Sequence, residues 1–249
     1  MRPILTFSAL TSFALAALAM ASCHPIANET GARFRADGET IAMSGGEGGA
    51  ANACFACHGL EGQGDGVSVP RLAGLDAGYL QKQMEDYATN VRHHAVMGPI
   101  AGWLSHEDRR AVSAYYAAMS APVVEGAART APAIYLEGAP ERGVEACVTC
   151  HGPSGQGVGP GNPALSGQPA AYTIDQIERW QKRQRRNDPR GVMTDAVAGL
   201  TPSETRAIAA WLETSPTLPA PASDAASASA AATAAARPGA SRGERRPDR

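Results

Sequence analysis

The sequence predicts an all-α fold: two tandem helical domains over 37–121 and 133–214, then a coreless tail over 215–249. Three observations predict it. The chain repeats itself in register. Its apolar residues recur at helical spacing, and no run alternates for the length of a strand. From Ser215 onward the composition falls to Ala, Pro, Ser and Arg, which cannot bury a core and implies disorder.

The repeat is anchored on Cys54-Phe55-Ala56-Cys57-His58 and Cys147-Val148-Thr149-Cys150-His151, 93 residues apart. From His58 to Pro70 is 12 residues, as from His151 to Pro163. From Pro70 to Tyr79 is 9, as from Pro163 to Tyr172. Met97 to Leu104 and Met193 to Leu200 are both 7; Leu104 to Tyr115 and Leu200 to Trp211 are both 11. Only the approach to the methionine differs, 39 residues from His58 and 42 from His151, so the second domain carries three extra residues there.

At the N-terminus, Arg2, the apolar run 4–20 and the small residues Ala19, Ala21 and Ser22 read as an export signal over 1–22. That signal places the mature protein in the periplasm. Cys23 follows Ala19-Met20-Ala21-Ser22, which resembles a lipoprotein cleavage box. Acylation there would tether the chain to a membrane, each buried CH₂ contributing about 0.8 kcal/mol. The competing expectation is ordinary cleavage after Ala21. Residues 24–36 read as a linker. A helix over 39–52 leads into the first motif, although Gly45, Gly46, Gly48 and Gly49 are poor helix formers. Its twin spans 134–147. Middle helices are expected over 77–87 and 170–184, and Met97 and Met193 in loops behind them. Ser105…Asp108 and Thr201…Glu204 each pair a hydroxyl N-cap with an acid three residues on, which starts a last helix. The Ala-, Pro- and Gly-rich stretch 122–132 joins the domains.

Two thiols three positions apart on a helical turn, followed at once by histidine, form the attachment signature of a c-type haem. Four of the five cysteines, Cys54, Cys57, Cys147 and Cys150, belong to the two copies. His58 and His151 are then the proximal iron ligands. A backbone carbonyl in the Pro70 and Pro163 loops is the expected acceptor that orients each ring. Methionine is the expected second ligand: Met193 is the second domain's sole candidate, and the repeat selects Met97 over Met84 and Met119, which read as core filler. His93 and His94 read as solvated. Zinc-ribbon and thioredoxin-type readings of the cysteine pairs fail on spacing and on the lack of a βαβ pattern. Aromatic residues are only 5% of the chain, thin for protein-only cores; two buried haems would supply the bulk.

The chain resembles the dihaem cytochrome c4 family, two class I cytochrome c domains in tandem. The resemblance rests on 54–58 with Gly59, Gly62 and Gly64, on Pro70-Arg71-Leu72-Ala73-Gly74, Tyr79, Met97 and Leu104-Ser105-His106-Glu107-Asp108. In the second half it rests on 147–151 with Gly152, Gly155 and Gly157, on Pro163-Ala164-Leu165-Ser166-Gly167-Gln168, Tyr172, Arg186-Asn187-Asp188-Pro189 and Met193. It covers about 37–214. It implies two covalent haems facing each other across a pseudo-twofold interface. It further implies a periplasmic carrier that takes electrons from a membrane-bound donor, of bc1 type or a dehydrogenase, and passes them toward a terminal oxidase.

Net charge is −2, so no general attraction to nucleic acid is expected. The stretch 179–186 holds a basic cluster, read either as a docking patch or as a solvated helix face with one arginine on a haem propionate. The expected function is therefore electron transfer without substrate chemistry. The alternative is a dihaem oxidoreductase, or the cytochrome subunit of a dehydrogenase, acting on a small sulfur compound.

Overall fold

The computed structural model describes residues 37–124, 130–159 and 161–217. The expected signal peptide, Cys23 and the tail beyond 217 lie outside the described residues. Helices supply the architecture. Among the described residues, sheet pairing is confined to one isolated bridge, Ala139 to Val144, so the all-α reading holds.

We number the α-helices in chain order. In the first domain α1 covers 37–44, α2 Phe55–His58, α3 Ala77–Ala88, α4 Met97–Trp103 and α5 His106–Ala118. In the second, α6 is Ala133–Glu137, α7 Val148–His151, α8 Ala170–Gln181, α9 Val192–Ala196 and α10 Pro202–Glu213.

The helix expected over 39–52 is not continuous. It stops at Ser44, because Gly45 turns left-handed at φ 78° and two short 3₁₀ turns, Gly46–Gly48 and Ala50–Asn52, carry the chain to the motif. Repeated glycine favours the bend over the helix by about 1 kcal/mol per residue. Glycine also permits close packing here: a Cβ at Gly48 would lie 2.9 Å from the Trp103 ring, and one at Gly38 2.2 Å from the Ala111 carbonyl oxygen. The twin over 134–147 also breaks. Gly138 takes φ 68°, and Pro140–Arg142 forms a 3₁₀ turn under the Ala139–Val144 bridge. Helix α8 ends at Gln181 rather than 184, since Arg183 takes φ 55°.

Both expected capping boxes are formed. Ser105 Oγ accepts from Asp108 N–H while the Asp108 carboxylate accepts from Ser105 N–H; Thr201 and Glu204 do the same. Each such cap stabilises its helix by about 1 kcal/mol. Two cores result. One gathers Ile41, Leu75, Leu80, Leu104, Val112 and Tyr116, the other Tyr135, Val144, Ile177, Leu200, Ile208, Trp211 and Leu212.

The domains meet at a polar seam. Arg71, 1% exposed, donates through Nη2 to the Ser166 carbonyl at 2.9 Å, and its backbone exchanges two hydrogen bonds with the Gln168 amide at 3.0 and 2.9 Å. Ala164 of the second domain packs on the first core. The second domain also runs past the expected boundary at 214. Ser215 is buried, and Thr217 Oγ1 donates to the Pro122 carbonyl at 2.6 Å.

Candidate haem sites

Each motif folds as one helical turn. Cys54 caps α2, and the His58 N–H bonds the Cys54 carbonyl at 2.9 Å, so the two thiols and the imidazole share a single turn. The turn must stop there. Gly59 leaves the helix at φ 79°, a conformation open to glycine and costly for other residues. The loop then folds back: the Gly62 carbonyl accepts from Leu72 and Ala73 N–H, and Gly64 N–H bonds the His58 carbonyl at 2.8 Å. This return brings the Pro70 carbonyl to His58 Nδ1 at 2.9 Å. The second site repeats the construction: the His151 N–H bonds the Cys147 carbonyl at 2.9 Å, the Gly155 carbonyl takes Leu165 and Ser166 N–H, and His151 Nδ1 meets the Pro163 carbonyl at 2.9 Å.

A carbonyl can only accept, so Nδ1 carries the hydrogen in both rings and Nε2 keeps its lone pair. Burial holds both imidazoles below the ordinary histidine range, partly offset by those carbonyl bonds. His58 and His151 are thus neutral at physiological pH and pre-set for metal ligation through Nε2. No disulfide joins the four motif cysteines, and burial pushes the Cys54 and Cys147 thiols up to about 11. Among the described residues, no three His, Cys, Asp or Glu side chains gather as a metal cluster. An oriented neutral imidazole one turn from two unbridged thiols fits covalent haem c, twice over.

Met97 and Met193 are both half-buried, yet neither lies in a loop: Met97 opens α4 and Met193 sits in α9. Met193 packs on the second core, as Met84 and Met119 do on the first. Met97 N–H donates to His94 Nδ1 at 3.2 Å. His94 is not simply solvated, for its ring stands edge-on to Tyr87 at 5.9 Å. His93 is exposed and bonds Asn90 Oδ1 at 2.9 Å. His106 pairs with Glu85 at 2.8 Å.

The basic cluster divides. Arg179 pairs with Asp175 and Lys182 with Glu178, while Arg185 is 5% exposed in the seam. Arg92 occupies the matching place in the first domain, also 5% exposed. Sequence reasoning missed this pair. The signal was available, since Arg92 follows Tyr87 by five residues and Arg185 follows Trp180 by five.

The cytochrome c family description matches residues 43–120 and again 143–216. A thiosulfate dehydrogenase electron acceptor of Stutzerimonas stutzeri (strain A1501) is 41% identical over 181 residues, covering 70% of this chain and 84% of that protein. Cytochrome c4 of Thiocapsa roseopersicina is 37% identical over 176 residues, covering 68% of this chain and 90% of its own. Among solved structures, a thiosulfate dehydrogenase from Marichromatium purpuratum superposes with a TM-score of 0.63 at 38% identity. It covers 74% of this chain, which spans only 40% of that longer protein.

Proposed function

This chain belongs to the cytochrome c family, in its dihaem cytochrome c4 group with one covalent haem c per domain, and from that premise we propose that it relays electrons from a dehydrogenase of a small sulfur oxyanion toward a terminal oxidase. The observation that carries the donor is the 41% identity, over 84% of its length, to a protein named as the electron acceptor of thiosulfate dehydrogenase. The chain is an electron-transfer protein and not the dehydrogenase itself.

Bound haem c supplies a one-electron ferric/ferrous couple. The chain does the rest. Cys54, Cys57, Cys147 and Cys150 hold the groups covalently, and His58 and His151 present a fixed Nε2. Met97 and Met193 would supply the second ligand to each iron, and a thioether favours the reduced state. Burial around both histidines lowers the local dielectric and keeps water from the ligands. The relay works outside the cytoplasmic membrane, with Cys23 as an acylated anchor; mass spectrometry of the native N-terminus should find a diacylglyceryl group on Cys23, and an unmodified Cys23 or a start at Ser22 rejects the anchor. Reduced holoprotein mixed with oxidase-containing membranes should be reoxidised at a rate that falls as salt rises. No reoxidation at any ionic strength would remove the oxidase from the scheme.

A further inference from the structure

Besides Arg71, the seam between the domains contains two further cations without counter-charges. Arg92 Nη1 donates to Gln83 Oε1 at 2.8 Å, and Nη2 to Gln176 Oε1 at 2.7 Å and to the Tyr172 hydroxyl at 3.1 Å. Arg185 Nη1 donates to Gln176 Oε1 at 2.7 Å, Nη2 to Gln83 Oε1 at 3.1 Å and Nε to Asn187 Oδ1 at 3.0 Å. The two guanidiniums and two amides form a closed ring, each arginine bonding a glutamine from each domain. Every acceptor is neutral. The adjacent carboxylates are engaged elsewhere: Asp86 takes Lys82 and Asn187, and Asp175 takes Arg179 and the Gln176 amide.

Each cation also leans toward its own domain's methionine segment. The Arg92 guanidinium lies 4.7 Å from the Tyr87 ring centroid, Tyr87 stands against His94, and His94 holds the Met97 N–H. The Arg185 guanidinium lies 4.1 Å from the Trp180 ring, and Trp180 and Met193 pack on the same core. Trp180 Nε1 is buried with no hydrogen-bond acceptor. Haem c carries two carboxylates, the chemistry that would offset the two charges and accept from that N–H.

We propose that Arg92 and Arg185 act as one cationic element shared by both haem sites, and that it raises the reduction potentials of the two haems together. The sign follows from Coulomb's law: a buried positive charge disfavours ferric iron, the more positive state, and burial weakens solvent screening. The sharing follows from the ring, since charge placed on either glutamine reaches both arginines. The inference rests on the two-haem reading above. Its residues are positioning residues and touch no reacting atom in this structure.

The test is a redox titration that follows each haem separately, through assigned haem-methyl NMR shifts, in four variants of the holoprotein. Gln83→Glu and Gln176→Glu each add one negative charge with almost no change of shape. Arg92→Gln removes a charge, and Arg92→Lys keeps it. The first three should shift the ferric/ferrous equilibrium of both haems toward ferric by about tenfold, which for one electron is about 59 mV. Arg92→Lys should move both by less than a third of that. Should Arg92→Gln release haem, the two glutamate variants decide alone. The proposal is overturned if Gln83→Glu or Gln176→Glu, with two haems by mass and an unchanged melting temperature, moves neither potential or only that of its own domain. A wild-type mass with fewer than two haems would instead reject the reading on which the proposal stands.

Discussion

In the first domain the aromatic ring beside the leading motif cysteine is Tyr116, on the last helix. In the second it is Tyr135, on the helix before the motif. The matching positions hold Ala42 and Leu212, so each domain has one large ring and one smaller residue against its cysteine–histidine turn, contributed from opposite sides. An added Cβ at Gly62 would strike Tyr116 and one at Gly155 would strike Leu212, which confirms that those two side chains fill the same space. Packing fixed the volume beside the turn without fixing which element supplies it. The turn itself did not drift: both histidines bond a proline carbonyl at the same distance. What orients each histidine is repeated, and what only fills space is exchanged.

The strongest break in this symmetry is removal of one attachment motif. The double variant Cys147→Ala, Cys150→Ala should lose one haem by intact mass and keep the haem of the first domain. Retention of both would mean that the second motif is not an attachment site. Next in size is loss of an axial thioether. Met97→Ala should remove about half of the far-red sulfur-to-iron band and lower one potential, and Met193→Ala should do the same for the other haem. An unchanged band in Met97→Ala would move the ligand elsewhere.

The ring exchange makes a sharper comparison. Tyr135 is fully buried and its hydroxyl donates to the Gly152 carbonyl at 2.7 Å, whereas the Tyr116 hydroxyl is buried without a hydrogen bond. Tyr135→Phe should destabilise the protein by about 1–2 kcal/mol, because it strands a buried acceptor. Tyr116→Phe should cost less than about 0.5 kcal/mol. Equal losses in denaturant unfolding would refute the distinction.

The smallest effect separates the two capping boxes. Arg142, bonded at 2.7 Å, together with the Thr201 backbone and hydroxyl, holds the Glu204 carboxyl down to about 2, whereas Asp108 is capped by Ser105 alone. A carboxyl lowered on folding adds stability above its unfolded value, near 4.5, and that stability is lost as pH falls toward 2. Glu204 is only half-buried at the surface, where water screens the pair, so the gain is modest. Glu204→Gln should flatten the fall of melting temperature between pH 4.5 and 2. An unchanged slope would remove Arg142 from that role.

The haem-holding half of each site was legible because its residues are local. A C-x-x-C-H turn, a proline 12 residues on and a capped last helix all lie within short stretches whose spacing repeats. Glycine broke the leading helices at Ser44 and Glu137, and a count of glycines alone could not say where. The loops expected around the methionines are not there: Met97 and Met193 belong to short helices that only tertiary packing supports, below the length at which a helix persists alone. The seam was the least legible part. The Arg92–Gln83–Arg185–Gln176 ring joins residues up to 102 positions apart, and nothing in either local stretch marks arginine as buried.

The chain carries electrons that, as proposed above, come from a separate thiosulfate-oxidising enzyme. Stopped-flow reduction of the purified ferric holoprotein by thiosulfate tests it most directly, with and without the thiosulfate dehydrogenase of Stutzerimonas stutzeri. Thiosulfate alone should give no turnover, and about two electrons per molecule should be taken up once the dehydrogenase is present, one for each haem. Sustained oxidation of thiosulfate by this chain alone would contradict it, as would a failure of the dehydrogenase to reduce either haem.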